Sequence, residues 1–310
     1  MTLSFTIPHH GNAMHHFKLM HGIRKHSHYA DGARLPSLWV RIVAAGILIS
    51  IAGLASAGPK LTVFDCGQLN SESITAFGLS DDATDVRELF VPCYLIEHEK
   101  GLLLWDFGLP LEIAGAGKID LQPGSSMQYD RSLLQQLKKR ELTPDDINFI
   151  APSHMHFDHV GAIAAFTKAT LLIDNKEYTA AFENAESNKY YDPSLYASIA
   201  DNPRVLLDGD YDVFGDGTVM IIPAPGHTPG HQVLLVRLAN TGTIVLSGDL
   251  YHFEASVALN AVPEFNTDPA QTLESMKKVA ALLKSEDATL WIEHNMALAK
   301  SLKLAPASYD

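Results

Sequence analysis

The run His154-Met155-His156-Phe157-Asp158-His159 puts four potential metal ligands within six residues. Imidazole nitrogen and carboxylate oxygen are what zinc takes when no thiolate is offered. On an extended segment residues 154 and 156 point the same way, and a tight turn after them can swing Asp158 and His159 toward a second position. A structural zinc closes its shell with four ligands, whereas this run needs partners from elsewhere. Partners follow in order along the chain. His227 lies in the Pro- and Gly-stiffened stretch Pro223-Ala224-Pro225-Gly226-His227-Thr228-Pro229-Gly230-His231. Asp249 follows an apolar run. Alone it reads as a turn or helix cap, but beside the other ligands its two oxygens suit a bridge between two cations. His294 ends Trp291-Ile292-Glu293-His294 and alone would be a weak signal. His231 opens the next strand and reads as a hydrogen-bonding group behind the site rather than as a ligand. The competing account, a polar loop cluster with no metal, leaves the later residues unexplained. The chemistry expected is metal-assisted hydrolysis with two divalent ions, zinc being the expected metal.

These residues need strand ends to hold them. Strands are predicted over Leu61 to Asp65, Val91 to Glu97 and Leu102 to Asp106, the last two as a hairpin around Glu99-Lys100-Gly101. Leu133, Leu134 and Leu137 share one face of a helix from Ser132 to Arg140, and Thr143-Pro144 reads as another helix start. Further strands are predicted at residues 148–151, 170–173, 219–224, 232–237, 243–246 and 289–292, with an amphipathic helix from Pro269 to Lys284. Each polar cluster follows a strand, where a rigid sheet can hold chemistry on loops. Strands first, then strands alternating with helices, fit a sheet sandwich covered by helices on both outer faces.

Composition sets the frame. The chain has 310 residues, 46% of them hydrophobic, which provides for a sizeable core. The net charge is -13, and no basic stripe offers a nucleic-acid surface. Arg41, the short apolar run from Ile42 to Leu54 and the ending Ala55-Ser56-Ala57 resemble a positive flank, h-region and cleavage site. The apolar run is short of the roughly 20 residues of a membrane span. Residues 1–57 are therefore expected to be a leader with a signal peptide, and residues 58–310 a single hydrolase domain, periplasmic or secreted and without stable membrane association after cleavage. An uncleaved anchor or a buried helix is the alternative. The stretch before the apolar run is long for an n-region, so Met14 or Met20 is a candidate start. Cys66 and Cys93 fall in two early strands, where a bridge and two buried free thiols are both open.

The ordered set His154-x-His156-x-Asp158-His159, His227, Asp249 and His294 resembles the seven-ligand pattern of the metallo-β-lactamase superfamily, over nearly all of the chain after Leu61. The resemblance implies an αββα sandwich with a dinuclear site at one sheet edge. It implies that His154, His156 and His227 hold one ion, that Asp158, His159 and His294 hold the other, and that Asp249 bridges them. Within the superfamily the chain is most similar to N-acyl homoserine lactonases, through Val91-Pro92-Cys93-Tyr94-Leu95-Ile96-Glu97, the histidine run, the His227 loop and Phe265-Asn266-Thr267-Asp268-Pro269. One position departs. The tyrosine that the family often carries three residues after the bridging aspartate is His252 here, with Tyr251 beside it.

The expected reaction is opening of the lactone ring of an N-acyl homoserine lactone, a small acyl lactone substrate. Asp158 or Asp249 is expected to assist proton transfer, and His252 or Tyr251 to hold the developing oxyanion. The apolar wall for the acyl chain is sought at residues 109–113 or around Phe182, Tyr190, Tyr191 and Tyr196, where ordinary packing is the competing account. A homodimer is the assembly considered. A glyoxalase-II-type thioesterase or a phosphotriesterase would use the same ligands. A β-lactamase does not use the Asp249 position as a bridge, a diiron protein of this fold would usually carry a flavin domain, and a non-catalytic binding module would not need every ligand position filled.

Overall fold

The computed structural model describes residues 58–310. The expected leader and cleavage site, residues 1–57, lie outside the described residues. Among the described residues thirteen strands form two sheets. They are β1 Lys60–Ser71, β2 Glu88–His98, β3 Gly101–Trp105, β4 Ile119–Gln122, β5 Ser125–Gln128, β6 Phe149–Ala151, β7 Thr170–Asp174, β8 Arg204–Leu207, β9 Tyr211–Asp212, β10 Val219–Pro223, β11 Gln232–Leu238, β12 Gly242–Leu246 and β13 Thr289–Trp291. The first sheet runs β4-β5-β1-β2-β3-β6-β7-β8 and the second β13-β12-β11-β10-β9.

Period-two alternation explains the layering. Leu61 and Val63 of β1, Tyr94 and Ile96 of β2, and Leu103 and Trp105 of β3 share one buried cluster with Ile221, Leu234, Val236, Ile244 and Leu246 of the second sheet. Their alternate neighbours Phe64, Cys66, Cys93, Leu95 and Leu104 face outward, onto Leu133 and Leu137 of the helix Leu133–Lys139 and onto Ile163 and Phe166. On the other side Val233, Leu235 and Val245 pack beneath Met276 and Val279 of the helix Pro269–Ser285. That helix buries Thr272, Ser275, Met276 and Val279, one stripe at helical spacing, and starts with Asp268 accepting the Gln271 N–H and Pro269 in the first turn. Helix, sheet, sheet, helix is the αββα sandwich.

Strand direction positions the chemistry. β3, β6, β7 and β8 are mutually parallel. In the second sheet β10 and β12 are both antiparallel to β11, and β13 is parallel to β12, so β10, β12 and β13 run the same way. The loops after β6, β10, β12 and β13 carry residues 154–159, 227, 249 and 294.

Several expectations change. β1 extends to Ser71 through an irregularity between Asp65 and Gln68, which lets it pair with both β2 and β5. Thr143 starts only the single turn Pro144–Asp146, because Ile147 is extended as the chain enters β6. The hairpin β4–β5 and the edge strand β8 carry too little apolar alternation to stand out in the sequence. Among the described residues no helix is long and apolar enough to cross a membrane.

Cys66 and Cys93 are joined by a disulfide with Cα atoms 5.8 Å apart, across the β1–β2 pair, so the free-thiol alternative falls. The bridge closes a separation of 27 residues. Loss of a loop constraint of that size costs about 3–4 kcal/mol. Replacing both cysteines by alanine should lower the urea midpoint accordingly, and thiol titration of the denatured chain should find no free thiol until reductant is added. Two reactive thiols before reduction would contradict the bridge.

Candidate metal centre

The ligand nitrogens converge. His227 Nε2 lies 3.1 Å from His154 Nε2 and 3.1 Å from His156 Nδ1. Ligands about 2.0–2.1 Å from a tetrahedral zinc are about 3.3 Å from one another, so these edges suit a shared cation. The second set is Asp158, His159 and His294, with Asp158 Oδ2 3.9 Å from His159 Nε2 and 3.8 Å from His294 Nε2. Asp249 stands between the sets. Its Oδ1 is 3.0 Å from His159 Nε2 and 2.9 Å from His294 Nε2, while its Oδ2 is 3.2 Å from His227 Nε2. One oxygen faces each set, as a bridging carboxylate requires.

The outer nitrogens of these rings are tied down. His227 Nδ1 donates to Asn266 Oδ1 at 2.9 Å, His159 Nδ1 to Asp106 Oδ2 at 2.9 Å, and His294 Nδ1 to the Phe90 carbonyl at 2.7 Å. His154 Nδ1 lies 3.0 Å from the Ser153 hydroxyl. With a proton on each outer nitrogen, the inner nitrogens turn bare lone pairs toward one another. Such a ring of acceptors repels itself unless a cation lies inside it. His159 Nε2 and Asp249 Oδ1 are both buried without a hydrogen-bond partner. The residues therefore fit two metal ions.

Electrostatics agree. Burial, reinforced by the neighbouring imidazoles, pushes His154 and His156 well down, so both are in the neutral form that can hold a metal. Burial opposes charge on Asp249, yet the surrounding histidines, His159 first, hold it well below the carboxylate range. Burial likewise opposes a proton on His159, but Asp249, Asp106 and Asp158 outweigh it and raise the ring. Metal binding here displaces protons.

Local structure explains the placement. Asp106 follows β3 with φ 55°, a left-handed conformation that Asp tolerates. Its carboxylate accepts the Ser153 N–H at 2.6 Å as well as His159 Nδ1–H. Glu293 accepts the indole N–H of Trp105 at 3.1 Å, and burial raises its pKa strongly. Gly248, at φ 49°, permits a close turn: a Cβ there would lie 2.5 Å from His231 Nε2. Asp106, Glu293, Asn266 and Glu177 escaped the sequence reading as supports. A carboxylate directly after a buried strand, as at Asp106, was the available signal.

His252 reaches the centre. Its Nε2 is 3.1 Å from Asp249 Oδ2, and its ring stacks on His294. Tyr251 instead packs in the apolar cluster with Leu235, Val245 and Met276. A cavity of about 170 Å³ opens beside His156, Asp158, Asp249, His252 and His294, walled by Leu69, Phe77, Leu89, Phe157, Tyr190 and Phe265. Of the residues proposed for the acyl wall only Tyr190 borders it. Leu109 is in the core, Phe182 stacks on Tyr178, Tyr191 donates to Glu177, and Tyr196 donates to the Ala181 carbonyl.

His231 is a support. Its Nδ1 donates to the Ala224 carbonyl at 2.9 Å, and its Nε2 accepts the Asp249 N–H at 2.9 Å, which only the neutral ring can do. Burial, then the neighbouring His227, lowers its pKa from 6.5 to about 3. In the unfolded chain the ring gains a proton as pH falls through 6.5, but in the folded chain only near 3. The unfolded state therefore binds more protons in that window, and this contribution to stability is complete above it and lost as pH falls across it. Urea midpoints measured in chelator should fall between pH 6.5 and 3, with a shallower slope for His231→Gln. An equal slope in that variant would contradict the assignment.

Residues 86–287 match the family model described as the metallo-beta-lactamase superfamily. The N-acyl homoserine lactonase AttM of Azorhizobium caulinodans is 32% identical over 236 residues, covering 72% of this chain and 88% of its own length. The N-acyl homoserine lactonase AiiA of Bacillus thuringiensis subsp. kurstaki is 30% identical over 220 residues, covering 69% and 84%. A solved N-acyl homoserine lactone hydrolase, with the product N-hexanoyl-L-homoserine bound at its catalytic metal centre, has a TM-score of 0.70 at 25% identity, covering 82% of this chain and all of that one. With its ligand set, its layers and its relatives in agreement, the chain belongs to the metallo-beta-lactamase superfamily.

Proposed function

We propose that the protein is a lactonase that opens the ring of N-acyl homoserine lactones with two metal ions, zinc being the metal that the nitrogen- and carboxylate-rich donor set favours. The observation that carries this reading is Asp249 dividing its two oxygens between the two candidate ligand sets while lining a largely apolar cavity. Lactonase relatives cover most of the chain and support the substrate class. In the reaction water adds to the ester carbonyl and the ring C–O bond breaks, leaving a carboxylate and an alcohol. A pair of bound divalent ions would supply hydroxide near neutral pH and polarise the carbonyl.

The chain's own residues do the rest. Phe77, Leu89, Phe157 and Phe265 exclude water and offer the acyl group apolar contact. Asp158 borders the cavity, where its carboxylate can carry the proton to the departing ring oxygen. His252 borders it too, where an N–H can steady the carbonyl oxygen as charge develops. Tyr251 contributes through packing. The disulfide supports a periplasmic or secreted location, because such bridges persist in oxidising compartments.

The test is acid release from a panel of acyl homoserine lactones, a thioester and a phosphotriester by the zinc-loaded chain. Lactones should be turned over fastest. His156→Ala and Asp249→Ala should each lower kcat/KM by at least about 100-fold, the scale of losing a preorganised electrostatic group. Brisk thioester cleavage with no lactone opening would sink the substrate assignment.

A further inference from the structure

Glu177 is the buried acid furthest from an explanation. It follows β7 in the short helix Asn175–Tyr178 and is 1% exposed. No basic side chain pairs with it among its hydrogen bonds. Its Oε1 accepts the Met155 N–H at 2.9 Å and the Tyr191 hydroxyl at 3.1 Å, and its Oε2 accepts the Gly230 N–H at 3.0 Å. Three donors converging on two oxygens suit an ionised carboxylate, which is acceptor-only.

The donors come from three segments. Met155 lies between His154 and His156, and Gly230 is in the rigid loop of His227. Tyr191 forms an isolated backbone bridge with His156, and the Asn188 amide lies 3.3 Å from His156 Nε2. The Gly230 approach is close: a Cβ there would lie 2.3 Å from the Glu177 backbone nitrogen. The second ligand set is braced differently, by Asp106 behind His159 and the Phe90 carbonyl behind His294.

We propose that Glu177 is a positioning residue for one metal position only: it fixes the spacing of the loops bearing His154, His156 and His227, and so sets the affinity of that position. Glu177→Gln keeps the shape but turns an NH2 group toward one of the backbone N–H donors. The loops must part to relieve that contact, while the Asp158–His159–His294 position keeps its supports. The proposal rests on the two-ion reading of the centre and is independent of the substrate.

The experiment is cobalt titration of the chelator-stripped full chain, followed by visible absorption and metal analysis, with His227→Ala and His294→Ala as references for loss of each position. Glu177→Gln should weaken one cobalt position by about 10–100-fold, as loss of a supporting partner does. The spectrum of the cobalt that remains should match that of His227→Ala. Two positions of unchanged affinity, equal weakening of both, or a match to His294→Ala would overturn the proposal. If circular dichroism shows Glu177→Gln unfolded, Tyr191→Phe removes a single donor and should weaken the same position by a smaller factor; no change would overturn it. A wild-type chain that binds no cobalt would sink the two-ion reading and this proposal together, whereas failure of lactone turnover with the cobalt pattern intact would sink only the lactonase reading.

Discussion

Everything at the centre depends on one carboxylate facing two ways. Asp249 puts one oxygen beside His159 and His294 and the other beside His227. A buried anion in that position is tolerable only with positive charge on both sides. Two cations would take two ligand sets, and the candidate residues come from the loop after β6 in the first sheet and the loops after β10, β12 and β13 in the second. The face-to-face packing of the sheets is thus a condition of the chemistry.

Supporting contacts meet that condition from both sides. Trp105 at the end of β3 donates to Glu293, which precedes His294, so an indole of the first sheet holds a ligand loop of the second. The Phe90 carbonyl in β2 does the same for the His294 ring. Gln232 N–H donates to the Ser153 carbonyl in the opposite direction. Each contact is worth on the order of 1 kcal/mol alone, but together they hold the ligand geometry to the tolerance that a metal centre demands.

The candidate ligand set was legible because metal chemistry restricts residue type and because these residues follow strands whose apolar runs are easy to see. The long strands and the helix Pro269–Ser285 were legible for the same reason, a clean period of two or of helical spacing. What escaped depends on tertiary contact. Asp106 reads as the last residue of a strand until its left-handed backbone turns the carboxylate onto His159. The cavity wall comes from Leu69 on β1, Phe77 on a turn and Phe265 on a distant loop, which no local pattern joins. The aromatic stretch from Phe182 to Tyr196 looked like a wall from composition, yet Phe182 packs on Tyr178 and Tyr196, Tyr191 bonds Glu177, and only Tyr190 borders the cavity.

The alternation of ligands between sheets also bears on how the molecule comes into being. Residues 154 and 294 are remote in sequence, and the loops that bear them meet only across the closed sandwich. Contacts of such long range are late and slow in folding, since the entropy of closing the intervening chain is spent before they form. The centre is thus a timekeeper for assembly: a chain with each sheet formed but not yet packed would have its histidines in hand and neither ion position complete.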